Sequence, residues 1–86
     1  MISWDYKIQD LHGLHVRPLA KIVTRLKSFR CQVQVINKGK KVEISDLMGV
    51  LALEIQTGDV LKFQFDGEDE KAASEALCVL FPEIRL

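Results

Sequence analysis

Residues 2–26, ISWDYKIQDLHGLHVRPLAKIVTRL, change their hydrophobic period once, and that switch sets the architecture. Ile2, Trp4, Tyr6 and Ile8 alternate with Ser3, Asp5 and Lys7, the period of a strand with one apolar and one polar face. LHGLH breaks the alternation, and Gly13 permits a turn. Beyond it Leu19, Ile22, Val23 and Leu26 recur at the spacing of a helix's buried stripe. Pro18 belongs in the first turn of that helix, where a missing N–H costs nothing.

The rest of the chain repeats this alternation of periods. Cys31, Val33 and Val35 alternate with Gln32 and Gln34, and Val42 and Ile44 make a shorter strand. Asn37-Lys38-Gly39-Lys40 between them is a hairpin turn. Asp46 is a good N-cap for a short helix over Leu47 to Leu53. Thr57-Gly58-Asp59 turns the chain into a strand carrying Leu61, Phe63 and Phe65. Glu68, Asp69 and Glu70 place negative charge where the dipole of a last helix favours it. Ala73, Ala76, Leu77, Leu80 and Phe81 form its apolar stripe, and Pro82 is expected to stop it. The order β-α-β-β-α-β-α, with every strand two-faced, predicts an α+β fold. Four antiparallel strands form its sheet, and three helices pack on one face. Residues 1–86 are expected to form a single domain.

Composition narrows the function classes. The 86 residues should expose roughly 5,200 Å² when folded, having buried about 64% of the unfolded surface, enough for one modest core. Twelve basic and twelve acidic side chains cancel. A general nucleic-acid binder is therefore not expected, since that usually needs an excess of positive charge. The charges are segregated, however, with the basic excess before residue 43 and the acidic excess after it, so the basic half suits an acidic partner or a phosphate. Cys31 and Cys78 have no metal or CxxC spacing, suit a reducing cytoplasm, and read as two small core residues. No apolar run approaches the roughly 18 residues of a membrane span, and no signal peptide is visible.

His15-Val16-Arg17-Pro18 carries the chemistry. A lone histidine at a helix start is ordinarily an exposed cap-region residue. Here Gly13, Arg17 and Pro18 each add a separate reason for a site. The first amides of a helix lack internal partners and, with the dipole, form an anion site. Arg17 adds a planar fork of donors suited to phosphate oxygens. Imidazole is a good nucleophile near neutral pH, so His15 is a candidate to hold a phosphoryl group. His12 reads as a loop residue. No metal-ligand cluster or Gly-rich phosphate loop is visible, and no cofactor is expected. In the short helix, Leu47, Met48, Val50, Leu51, Ala52 and Leu53 cover every side, which a helix resting on a sheet cannot bury. Some of Leu47, Met48 and Leu51 should be exposed as a partner surface.

GLHVRP, followed by SDLMGVLALEIQTGDVLKFQFDGEDEKAASEAL, closely resembles the HPr family, the histidine-containing phosphocarriers of the bacterial sugar phosphotransferase system. The resemblance runs from the first strand to the last helix and implies the same four-stranded sheet with three helices. It implies that His15 accepts a phosphoryl group on Nδ1 from phosphorylated enzyme I and passes it to enzyme IIA domains. Arg17 would stabilise the phosphate. The docking patch would comprise Val16, Ala20, Leu47, Met48 and Leu51, beside the basic residues of the first helix. Such a carrier is not itself an enzyme, works in the cytoplasm, and is expected to be monomeric because it must expose its site.

Three departures from the family pattern stand out. Val16 replaces a commonly small residue, which adds apolar contact without removing the chemistry. Asp46 stands at the position of the family's regulatory serine, and its charge resembles a permanently modified serine. This raises the alternative of an HPr-like regulatory module that binds regulatory proteins. Leu11-His12 replaces small polar residues before Gly13, which puts a second imidazole close to His15.

Overall fold

The computed structural model describes all residues, 1–86, with β1 (Ile2–Lys7), α1 (Val16–Leu26), β2 (Gln32–Asn37), β3 (Lys40–Glu43), α2 (Leu47–Leu51), β4 (Val60–Asp66) and α3 (Glu70–Glu83). The four strands form one antiparallel sheet in the order β1-β4-β2-β3. Pairing puts Trp4 opposite Phe63, Phe63 opposite Val35, and Phe65 opposite Val33. These alternate residues all point to the core side. Ser3, Asp5, Lys7 and Lys62 on the other face stay exposed, so the helices cover one face only.

The core joins the inward strand residues to Leu19, Ile22 and Leu26 of α1, Val50 of α2, and Ala73, Leu77 and Phe81 of α3. Phe63, Phe65 and Phe81 are fully buried, each worth roughly 1.5–3 kcal/mol relative to exposure. Trp4 packs beside them with ring centroids 5.3 Å from Phe63 and 5.4 Å from Phe65. Its indole N–H donates to the buried Ser74 hydroxyl at 2.8 Å, which satisfies both groups. The accessible surface is 5279 Å², close to the roughly 5,200 Å² that size alone implies.

Local boundaries differ from the sequence reading at four places. Strand β2 begins at Gln32, one residue after Cys31. Strand β3 closes at Glu43, yet the Ile44 N–H still donates to Val33 O at 2.9 Å and keeps its buried side chain against the core. Helix α2 ends at Leu51 rather than Leu53. Leu53 and Glu54 bond back to Val50 O and Leu51 O at 3.0 and 3.1 Å, and Glu54 adopts φ 52. Such tightened three-residue spacing commonly finishes a helix. Pro82 lies inside α3 rather than at its stop. Only one backbone donor is lost, and Ile84 N–H bonds to Leu80 O at 3.0 Å across it. The β2–β3 hairpin turns through Lys38 and Gly39, both at positive φ (52 and 82), the pattern of the favoured two-residue turn.

The cysteines are not both core residues. Cys31 is half-buried and Cys78 is exposed. The buried α3 residues Ala73, Ala76, Leu77 and Phe81 recur at helical spacing, and one further residue turns Cys78 out of that stripe. Burial pushes the Cys31 thiol above its ordinary range. Thiolate is the reactive form, so an alkylating reagent at mildly alkaline pH should modify Cys78 several-fold faster than Cys31. Peptide mapping of a time course reads this directly, and earlier labelling of Cys31 would refute it.

Candidate functional site

The segment between β1 and α1 is tied down from several sides. Gln9 and Asp10 N–H donate to Leu86 O at 2.6 and 3.0 Å, and Leu14 N–H donates to Ile55 O at 3.3 Å. The Thr57 hydroxyl donates to Asp10 O at 2.5 Å, and Gly13 N–H reaches the same carbonyl at 3.0 Å. Leu14 is buried and anchors the end of the loop in the core. Gly13 is also buried, at φ +68, pressed against the Ile55–Gln56 backbone. The loop therefore delivers the next residue, His15, to one fixed place.

That place is the N-cap of α1. His15 has extended backbone (φ −115, ψ −177) and its side chain does not cap the helix. Its carbonyl accepts from Leu19 N–H at 3.2 Å. The Val16 and Arg17 amides have no protein acceptor, and Pro18 has no N–H to satisfy. The imidazole thus stands beside two free donors at the positive end of an eleven-residue helix. Arg17 is exposed and forms no ion pair, which leaves its guanidinium free for an incoming anion. Lys21 and Arg25 continue the exposed basic side of α1.

The imidazole of His15 is itself 41% exposed, and its Nε2 lies 3.6 Å from Asp10 Oδ2. The other oxygen, Asp10 Oδ1, accepts from His12 N–H at 2.8 Å. His12 is exposed on the loop, its ring edge-on to His15 with centroids 6.0 Å apart. The sequence reading singled out His12 here and missed Asp10. The available signal was an aspartate two residues before a bonded amide in a Gly-containing turn, the pattern of an Asx turn.

The apolar short helix lies beside this site. Val16 is 58%, Leu47 39% and Met48 78% exposed, and Ala20 is exposed one turn along α1. Leu51 departs from this patch. It is half-buried and packs against the core with Leu53, because the chain curls under α2 directly after it. Asp46 caps α2, its Oδ1 accepting from Gly49 N–H at 3.0 Å. Between α1 and α3 runs a 340 Å³ groove lined by Ala20, Lys21, Thr24, Arg25 and Leu80. No group of three or more His, Cys, Asp or Glu residues is placed to hold a metal ion. No helix is long and apolar enough to cross a membrane.

An exposed imidazole at an open helix N-terminus, with an apolar and basic surround, suits a phosphoryl site with a docking face. Comparison with known proteins points the same way. Residues 2–83 match the family model described as the HPr component phosphorylation site of the phosphotransferase system. The chain is 35% identical over 81 residues to the phosphocarrier protein HPr of Xylella fastidiosa, covering 94% of this chain and 91% of that one. It is 36% identical over 84 residues to HPr of Buchnera aphidicola, covering 98% and 99%. Among solved structures, a mycoplasma histidine-containing phosphocarrier protein superposes with a TM-score of 0.90 at 26% identity, covering 96% of this chain and 94% of that one. The chain belongs to the HPr family and is a phosphocarrier of the phosphotransferase system.

Proposed function

We propose that His15 is the phosphoryl acceptor and that Arg17 stabilises the group once it arrives. The observation that carries this reading is the placement of a half-exposed imidazole beside the unpaired Val16 and Arg17 amides. Those donors are fixed before the reaction, so they stabilise the phosphoryl oxygens without reorganisation. A ring nitrogen of His15 attacks phosphorus as the bond to the donor, phosphorylated enzyme I, breaks. The reverse exchange then hands the group to an enzyme IIA domain. The protein is a stoichiometric carrier rather than an enzyme with turnover of its own. It works as a cytoplasmic monomer, without a metal or cofactor.

The test is intact mass after incubation with phosphoenolpyruvate and a catalytic amount of enzyme I. One added phosphoryl group, lost in mild acid and retained in alkali, supports the reading. No gain in a folded protein with its cognate enzyme I overturns it.

Docking rests on Val16, Ala20, Leu47 and Met48, with Leu51 supporting the patch from beneath. Met48 is the most exposed of its large side chains and is flexible enough to fit successive partners. Met48→Asp should lower kcat/KM for phosphorylation by enzyme I about tenfold, the loss of roughly 1.4 kcal/mol of docking energy. Its circular dichroism should stay that of the parent, because the side chain lies outside the core. An unchanged kcat/KM would remove Met48 from the docking face.

A further inference from the structure

Asp10 is a carboxylate beside His15 whose backbone and side chain are both tied down within the loop. Its N–H donates to Leu86 O at 3.0 Å, and its carbonyl accepts from Gly13 N–H at 3.0 Å and from the Thr57 hydroxyl at 2.5 Å. Its Oδ1 accepts from His12 N–H at 2.8 Å. With the backbone and one oxygen committed, the remaining oxygen, Oδ2, faces His15 Nε2 at 3.6 Å. The Asp10 side chain is only 18% exposed, against 41% for His15. The imidazole therefore has a carboxylate at one nitrogen, while its Nδ1 has no protein hydrogen-bond partner.

From this geometry we infer that Asp10 is a positioning residue for phosphoryl transfer, keeping the His15 proton on Nε2 so that Nδ1 presents its lone pair. The inference rests on the acceptor reading of His15. A neutral imidazole carries one N–H and one bare nitrogen, and the partner of one nitrogen selects the role of the other. A carboxylate is acceptor-only, so it favours the tautomer with N–H at the nitrogen it faces. Phosphoryl transfer then needs no proton movement. The Nδ1 lone pair forms the N–P bond as the donor–phosphorus bond breaks and its electron pair stays with the donor. Nε2 keeps its proton, and the phosphorylated ring bears a positive charge next to Asp10. On onward transfer the N–P electron pair returns to Nδ1, and the ring leaves as the same neutral tautomer. The 3.6 Å separation is that of a loose pair. The contact becomes charge-assisted and shortens when the ring turns cationic.

Asp10→Asn separates this role from the loop's architecture. The asparagine carbonyl still accepts from His12 N–H, while its NH₂ replaces the oxygen facing Nε2 and donates instead. Asp10→Ser is the second variant, since a serine hydroxyl also caps the amide two residues on but offers His15 no carboxylate. In the protein with ¹⁵N-labelled histidine, the ring nitrogen shifts in mildly alkaline solution report which nitrogen bears hydrogen. The parent should show N–H at Nε2. Asp10→Asn should swing His15 towards N–H at Nδ1, and Asp10→Ser should show a mixture. Both should be phosphorylated about tenfold more slowly, with backbone amide spectra matching the parent beyond the loop. A parent-like tautomer and rate in both variants would overturn the assignment. A parent that takes no phosphoryl group at His15 would instead overturn the acceptor reading, and the ring shifts would still decide whether Asp10 orders the imidazole.

Discussion

His15→Ala should show no phosphoryl mass gain under conditions in which the parent is fully converted. On the proposed acceptor role the loss is complete, because alanine has no nucleophile and the free amides and Arg17 offer only hydrogen-bond donors. Stability should change by no more than about 0.5 kcal/mol, because the ring is 41% exposed and makes no cap bond. His12→Ala is the matched control. His12 is an exposed imidazole 6.0 Å from His15 between ring centroids, but it lies outside the helix N-terminus. That variant should still take one phosphoryl group. A gain that survives His15→Ala and disappears in His12→Ala would transfer the chemistry to the neighbouring ring. Intact mass and phosphopeptide mapping distinguish these outcomes directly.

Gly13→Ala should produce the largest loss of stability among single-methyl changes in the loop. A Cβ there would overlap Ile55 O and sit 2.9 Å from Gln56 Cα, and the backbone has φ +68. The left-handed conformation alone costs an alanine roughly 1–2 kcal/mol. Relieving the overlap must move rigid backbone and break the Leu14 N–H to Ile55 O hydrogen bond, a further 0.5–1.5 kcal/mol or so. The sum of about 2.5 kcal/mol should lower the thermal midpoint by roughly 15 °C in a chain of this size. Gly39→Ala is the control, with φ +82 but nothing within 4 Å of its Cβ. It should bear the conformational cost alone. Equal midpoints for the two variants would show that the loop gives way without penalty. Phosphorylation of Gly13→Ala should also slow, because the same loop places His15.

Several features were legible without coordinates because they are local. The spacing of Ile2, Trp4 and Tyr6, and of Leu19, Ile22 and Leu26, is imposed by strand and helix geometry. Each set is indeed partly or fully buried. His15, Arg17 and Pro18 adjoin in the chain, so their meeting at a helix start followed from where the helix begins. The Asp46 cap is equally short-range, three residues from the amide that it bonds. Where reading failed, a small local balance was involved. Cys78 lies one residue past a buried stripe, and Pro82 removes too little hydrogen bonding to end α3. Which of Leu47, Met48 and Leu51 stay exposed was left open by the sequence, and the way the chain leaves α2 turns Leu51 partly inward, which no periodicity records.

Covalent spacing therefore specified the order of elements, the inward faces of the strands, and the placing of His15 and Arg17 at the start of α1. Packing specified what surrounds the His15 imidazole, Asp10 included. Asp10 turns to His15 because Leu86 and Thr57, the latter 47 residues away in sequence, hold its backbone. Trp4 finds the Ser74 hydroxyl across 70 residues, and Leu47 and Met48 come to lie beside α1 through tertiary contact. Pairings of this kind arise when faces are buried together. They leave no period in the chain, because the residues that meet are separated by whole elements.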